Sequence, residues 1–154
     1  MKKIKVLLSL LMKSLFAICI MAMLCCRIIG IKPFIVMSGS MEPAISTGAL
    51  CFVHTKAAYD RVQKGDIVAY KISTGTYVTH RVLERTEAGM VTKGDANEAA
   101  DGSLVTRKNF VGKTLFSIPF AGYIMKYLQQ PAVLAGICGL VTIISGRKKQ
   151  KERI

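Results

Sequence analysis

Two apolar runs lie near the ends of the chain and leave a mixed segment between them. The first, residues 6–31, is almost wholly apolar and carries charge only at Lys13 and Arg27, and about 20 apolar residues are enough to cross a bilayer as a helix. The second, residues 131–145, reaches only about 22 Å as a helix and needs a few preceding residues to complete a span. The pattern predicts one membrane helix on each side of a single domain.

A cleavable signal peptide is the alternative interpretation of the first run, because Met1 is followed at once by lysines. No A-x-A cleavage site follows the run. Cys25 and Cys26 also lack the small preceding residue that a lipoprotein site needs. An uncleaved anchor is therefore the preferred interpretation.

Short β-branched or aromatic runs, bounded by Gly, Thr, Ser or Asp, fill the segment between the apolar runs. They predict strands near residues 49–53, 66–72, 77–83 and 89–93. No window carries a helical apolar stripe over three turns. Residues 116–127 are amphipathic and are expected to lie at the membrane surface. The predicted fold class is mainly β.

Charge and composition support this layout. The 154 residues are 51% hydrophobic and carry a formal net charge of +13. Residues 1–35 contribute +6 of this charge and residues 146–154 contribute +4, which leaves +3 for everything between. Basic residues beside apolar runs are typical of cytoplasmic membrane flanks and not of a phosphate-binding face. We therefore expect both termini in the cytoplasm, the domain outside, and no nucleic-acid partner.

Four of the five cysteines fall in the apolar runs, and Cys51 is alone in the domain. A lone cysteine forms no disulfide within its domain, and no C-x-x-C pattern indicates a metal site. Cys51 is therefore interpreted as a small buried apolar residue. A metal-binding or nucleophilic role for Cys51 is not expected.

The candidate chemistry begins at Ser40, in the segment Val36–Pro43, just beyond the first apolar run. A serine nucleophile needs a base and donors for the oxyanion that forms. The chain has two histidines: His80 lies inside an alternating run, whereas His54 ends a strand and is interpreted as a surface residue. Lys71 would be the base in a Ser-Lys protease, but its position is poor for that role.

Two acids follow the histidine in the chain. Asp95 lies in a Gly-Asp turn, where an aspartate commonly caps its own backbone. Asp101 lies six residues further on and is the candidate for a carboxylate that orients a histidine.

Four motifs follow one another in order: Ser-Gly-Ser-Met-Glu-Pro at 38–43, Gly-Asp-Ile-Val at 65–68, Thr-His-Arg-Val at 79–82 and Lys-Gly-Asp-Ala-Asn at 93–97, with Asp101 behind them. In this arrangement the chain resembles the Ser-His branch of type I signal peptidases. That branch includes the catalytic subunit of the endoplasmic-reticulum complex, archaeal enzymes and the W-type enzymes of spore-forming bacteria.

The resemblance implies a membrane-bound serine endopeptidase that removes signal peptides from exported pre-proteins. By it, Ser40 is the nucleophile, His80 the general base, Asp101 its orienting partner and Asp95 an additional acid. Ser38 would be an oxyanion donor beside the Ser40 amide. The implied fold is a coiled β domain with a groove for an extended peptide, and no metal or cofactor is required.

The implied partners are signal peptides emerging from the translocon and the lipid bilayer, at the cell membrane with two spans. Met37 and Met41, beside the serine, are expected to contribute to a rim that touches the lipid interface. Two alternatives stay open: a non-enzymatic membrane-tethered adaptor with a β domain, and a repressor-like Ser-Lys protease.

The predicted division of the chain is a cytoplasmic N-terminus at 1–8, an anchor at 9–31, an extracytoplasmic catalytic domain at 32–125, a second span at 126–145 and a cytoplasmic tail at 146–154.

Overall fold

The computed structural model describes residues 2–133, 135, 136 and 139. The elements are helix α1 (Lys2–Ile29), strands β1 (Ile31–Ile35), β2 (Leu50–His54), β3 (Ile67–Lys71), β4 (Tyr77–Arg85), β5 (Met90–Lys93) and β6 (Phe110–Ile118), and helix α2 (Ala121–Leu128), with a 3₁₀ turn at Tyr59–Arg61. The prediction of a mainly β domain behind an N-terminal apolar helix is confirmed. Much of the predicted second span, 126–145, and the whole tail, 146–154, lie outside the described residues.

Helix α1 carries its apolar side chains exposed. Its segment Val6–Ile29 is long and apolar enough to cross a membrane, by length and composition. The helix ends at Gly30, which has a φ of 90° and donates its N–H to the carbonyl of Cys26. A left-handed glycine ends a helix without the steric cost of a Cβ. The helix therefore stops two residues before the predicted anchor boundary, and Ile31 begins β1 instead.

The six strands form one sheet in the order β1-β2-β6-β3-β4-β5, and neighbouring strands are antiparallel. The rings of Phe34 in β1 and Tyr77 in β4 lie 5.3 Å apart between centroids. Three strands separate β1 from β4 in the sheet order, so this contact requires a strongly curved sheet.

Strands β1 and β6 lie outside the four predicted runs. Strand β1 contains Pro33, which lacks an N–H and is tolerated because β1 is an edge strand. Strand β6 ends at Ile118, so the first part of the predicted amphipathic stretch 116–127 belongs to the sheet and the last part to α2. Phe116, Ile118, Phe120, Tyr123 and Ile124 are exposed.

Two buried clusters form the core. One contains Val62, Val68, Tyr70, Val82, Met90 and Val105, and the other contains Met41, Ile45, Ala49 and Cys51. Cys51 is fully buried, as predicted, and burial raises the pKa of its thiol to about 11. Met37 is exposed, but Met41 is buried. The expectation that Met41 faces lipid is therefore wrong, because its side chain fills the core beneath the serine turn.

Candidate active site

Ser40 lies in a tight turn between β1 and β2. The N–H of Glu42 donates to the carbonyl of Gly39 at 3.0 Å, and that of Ile45 donates to the carbonyl of Met41 at 2.8 Å. Met41 and Ile45 are both buried in the second core cluster. These two side chains fix the turn to the domain, so the half-buried Ser40 side chain is held at a defined place on the surface.

The register of three neighbouring strands explains how His80 reaches the serine. Val68 of β3 pairs with His80 of β4, and Val82 of β4 pairs with Thr92 of β5. Side chains alternate between the two faces of a strand, and directly paired residues share a face. Tyr70, two residues after Val68, therefore projects to the same face as His80 and Thr92.

Asp101 completes a hydrogen-bonded chain with the serine and the histidine. Its backbone N–H donates to the carbonyl of Thr92 at 2.8 Å, which brings the loop after β5 back over the sheet. Its Oδ2 lies 2.7 Å from Nδ1 of His80, and Nε2 of His80 lies 3.1 Å from Oγ of Ser40. The structure thus brings together Ser40, His80 and Asp101, although Ser40 and Asp101 are 61 positions apart in the sequence.

The partners of the imidazole set its tautomer. A carboxylate only accepts hydrogen bonds, so Nδ1 of His80 carries the proton and donates it to Asp101. Nε2 then presents its lone pair to the hydroxyl of Ser40, which donates. His80 is 8% exposed, so the imidazole is shielded from competing water. This arrangement can remove a proton from the serine hydroxyl as it attacks a carbonyl.

The loop at 94–97 supports the serine from the other side. The N–H of Ala96 donates to the carbonyl of Ser40 at 2.9 Å. A Cβ placed on Gly94 would lie 2.5 Å from that same carbonyl oxygen, closer than van der Waals contact permits. Only glycine fits here, because the two backbones approach so closely.

Asp95 has a partner that the sequence interpretation missed. Its two carboxylate oxygens accept from Nε and Nη2 of Arg81 at 2.8 and 2.6 Å, and Nη1 of Arg81 donates to the carbonyl of Gly65 at 2.8 Å. These hydrogen bonds lower the pKa of the Asp95 carboxyl, and burial opposes them. Asp95 was expected to cap its own turn, whereas the structure uses it to join three of the four sequence motifs through Arg81.

The remaining candidates take distinct positions. Oγ of Ser38 lies 3.3 Å from Oγ of Ser40, and among the described residues the Ser40 backbone N–H donates no intramolecular hydrogen bond. His54 ends β2, at the register position of Lys113, and is not part of the hydrogen-bonded chain. Lys71 is exposed and faces away from Tyr70 and His80.

Comparisons with known proteins place this geometry in a family. Residues 8–93 match the family described as signal peptidase, peptidase S26. The chain is 32% identical over 126 residues to the signal peptidase complex catalytic subunit SEC11 of Colletotrichum graminicola, an alignment that covers 71% of this chain and 73% of the relative. The chain belongs to the signal peptidase family. It is also 39% identical over 89 residues to signal peptidase I W of Bacillus subtilis, covering 54% of this chain and 47% of that relative.

The family match includes Ser40 and His80, while Asp95 and Asp101 lie beyond its end at residue 93. What is known of these two acids in this signal peptidase is their hydrogen-bond contacts with His80 and Arg81. Within the part of the chain that the structure describes, no cluster of three or more His, Cys, Asp or Glu side chains is placed to bind a metal.

The sequence interpretation missed three residues that contact the site: Tyr70, Thr92 and Arg81. Oη of Tyr70 and Oγ1 of Thr92 donate to Oδ2 of Asp101 at 2.9 and 2.6 Å. The period of two along β3, β4 and β5 was the available signal, since it places Tyr70 and Thr92 on the face of His80. The signal was insufficient because strand register is not readable from one sequence.

Proposed function

We propose that this signal peptidase uses Ser40 as its nucleophile, His80 as its general base and Asp101 as the carboxylate that orients the histidine. The observation that carries the proposal is the continuous hydrogen-bonded chain from the Ser40 hydroxyl through the imidazole to the carboxylate. As a member of its family the protein is a serine endopeptidase that removes signal peptides.

The proposed reaction is acyl transfer. His80 takes the hydroxyl proton of Ser40 as Oγ attacks the scissile carbonyl, and then gives that proton to the departing amine of the mature protein. Water, deprotonated by the same imidazole, hydrolyses the acyl-enzyme and frees Ser40. The Ser38 hydroxyl and the Ser40 N–H are the proposed donors to the oxyanion, because both groups lie beside the nucleophilic oxygen.

Asp95 is proposed to act as a support for this site. Its bidentate pair with Arg81 joins the loop at 94–97 to β4, and that loop holds the carbonyl of Ser40 through Ala96. The contribution of Asp95 to activity is therefore indirect, through the position of the serine.

The proposed substrates are signal peptides that emerge from the translocon in an extended conformation close to the bilayer. We further propose that residues 9–31 and 126–145 both span the cell membrane, with the termini 1–8 and 146–154 in the cytoplasm and the domain 32–125 outside. The basic tails support this orientation. Protease added to the outside of intact cells should then cleave within the domain and leave the C-terminal tail intact.

The proposal is tested by incubating the purified full chain in detergent with a pre-protein and sequencing the product. The expected product has a new N-terminus directly after its signal peptide, and a Ser40→Ala preparation serves as the blank. Binding of the pre-protein without cleavage would favour the adaptor alternative.

Replacing each acid by its amide should separate the roles of Asp101 and Asp95. Asp101→Asn should lower kcat by about 10²-fold or more with little change in melting temperature, because the amide no longer holds the proton-donating tautomer of His80. Asp95→Asn should lower both the melting temperature and the activity, because it loses the bidentate pair with Arg81. Thermal unfolding and steady-state kinetics of both variants provide the measurement.

The stability effect of Asp95 should also depend on pH. Its pKa is lower in the folded chain than in the unfolded chain, so its contribution is present above the unfolded pKa and is lost as pH falls through the folded pKa. The difference in melting temperature between the wild type and Asp95→Asn should therefore shrink in acid. If Asp95→Asn is instead inactive at an unchanged melting temperature, the roles assigned to the two acids are reversed, so that Asp95 orients the histidine and Asp101 supports the site.

The exposed apolar residues of β6 and α2 are proposed to contact lipid. Phe120→Asp and Ile124→Asp should each slow cleavage of a membrane-inserted pre-protein by roughly fivefold or more, because an acid resists insertion at the interface. A short soluble peptide should be cleaved at an unchanged rate. Leu104→Asp, at another exposed apolar position, is the control and should be silent on both substrates. Equal losses on the two substrates would show damage to the site and not loss of lipid contact.

A further inference from the structure

Two buried hydroxyl groups lie behind the proposed catalytic residues, and the mechanism above does not use them. Tyr70 is 2% exposed and Thr92 is 0% exposed. Both hydroxyls donate to Oδ2 of Asp101, at 2.9 Å from Tyr70 and 2.6 Å from Thr92. Oη of Tyr70 also lies 3.4 Å from Nδ1 of His80 and 3.4 Å from Oγ1 of Thr92.

The three donors share one acceptor atom. Nδ1 of His80 donates to the same Oδ2 at 2.7 Å, so two neutral hydroxyls compete with the imidazole for the lone pairs of one oxygen. A hydrogen bond to a carboxylate stabilises its charge and disperses it. The electron density that Oδ2 presents to His80 is therefore set by Tyr70 and Thr92 as well as by Asp101.

We propose that Tyr70 and Thr92 are positioning residues that hold the Asp101 carboxylate against His80 and moderate its charge. This inference rests on the proposed function, because it acts through the proposed catalytic residues. Both hydroxyls are buried behind His80 and are proposed to act through Asp101.

Position is the first effect. Asp101 lies in a loop, and its neighbours Gly102 and Ser103 are exposed, so its backbone alone does not fix the carboxylate. Tyr70 on β3 and Thr92 on β5 are anchored in the sheet on either side of His80. Their hydroxyls hold Oδ2 of Asp101 within hydrogen-bond reach of Nδ1 of His80. The proton of the imidazole therefore stays on Nδ1, and Nε2 presents its lone pair to Ser40.

Charge is the second effect. Burial raises the pKa of Tyr70 to about 12, so its phenol stays protonated and remains a donor throughout the working pH range. The two hydroxyls disperse the negative charge of the Asp101 carboxylate. The carboxylate therefore stabilises a protonated His80 less than it would without these two hydrogen bonds. The other charged groups near this site are Asp95 with its partner Arg81, and Lys93 on β5, and they are unchanged in the variants below.

The test compares Tyr70→Phe and Thr92→Val in the full chain, since each removes one hydroxyl and keeps the shape of the side chain. Each variant should lower kcat by about three- to tenfold with KM unchanged, as expected for the loss of one hydrogen bond. The midpoint of the acidic limb of kcat/KM, which reports the base in the free enzyme, should move to higher pH by roughly half a unit. The double variant should show a larger displacement.

Two matched controls separate positioning from simple stability. Tyr59→Phe removes a tyrosine hydroxyl that donates to the carbonyl of Val105, also at 2.9 Å, away from Asp101. Tyr59→Phe should leave the midpoint of the acidic limb of kcat/KM unchanged even if it lowers the melting temperature. Thr92→Ser keeps a hydroxyl at the same position and should retain the wild-type limb.

The proposal is overturned if Tyr70→Phe and Thr92→Val lower only the melting temperature, or if Tyr59→Phe displaces the limb as far as they do. Should a variant lack turnover, the downfield proton resonance of Nδ1–H in His80 decides: a displaced resonance supports the proposal and an unchanged one overturns it. The proposed function fails separately, if Ser40→Ala and Asp101→Asn retain activity.

Discussion

Replacing Ser40 by Ala is expected to reduce cleavage of a pre-protein by about 10³-fold or more, to the background of the assay. The reason is that Oγ of Ser40 is the atom that accepts the acyl group, and it is the oxygen to which Nε2 of His80 points. Folding should be unaffected, because the backbone of the turn is held by the carbonyl of Ser40 and by buried Met41 and Ile45, none of which the substitution alters. Single-turnover cleavage and thermal unfolding of the full chain provide the measurement.

The neighbouring serines give a graded comparison. Ser46→Ala, in the same segment between β1 and β2, should keep wild-type activity. Ser38→Ala should lose about 10²-fold, as expected for removal of one oxyanion donor, while keeping the nucleophile. Wild-type turnover in Ser40→Ala would mean that another side chain attacks the substrate, and would remove the basis of the proposed mechanism.

Replacing His80 by Ala should reduce kcat by about 10²-fold or more, because the serine hydroxyl then has no base within hydrogen-bond reach. The double variant Ser40→Ala, His80→Ala should be no worse than either single variant, since groups that act as a unit are not additive. A lysine at position 80 should not restore turnover, because its ammonium is protonated unless burial lowers its pKa. Kinetics over a range of pH provides the measurement.

His54→Ala is the matched control for the second prediction. It removes the other histidine of the chain, which ends β2 outside the hydrogen-bonded chain of the site, and it should be nearly silent. The assignment of His80 as the base is refuted by full activity in His80→Ala, or by an equal loss in His54→Ala.

The mainly β class and the apolar helix could be read from the sequence because they depend on local pattern. Runs such as 77–83 alternate with a period of two, and the segment 6–29 is long enough to cross a membrane and carries charge only at Lys13 and Arg27. The end of helix α1 at Ile29 could not be read from the sequence, because it depends on the left-handed conformation of Gly30. Strand β1 was missed because it gains its hydrogen bonds from β2, a partner that lies 15 residues or more along the chain.

Residue chemistry and motif order determined Ser40, His80 and Asp101 as candidates, since the chain has two histidines and the motifs with their family resemblance place one of them between the serine and the acid. Only the tertiary structure decided that these three meet, because their approach depends on strand register, and a shift of one residue would turn His80 to the opposite face. The tertiary structure likewise decided that Asp95 binds Arg81, and that Tyr70 and Thr92 reach Asp101. Such contacts join residues on different strands, and the sheet that brings those strands together is held by core packing and backbone hydrogen bonds that no single segment encodes.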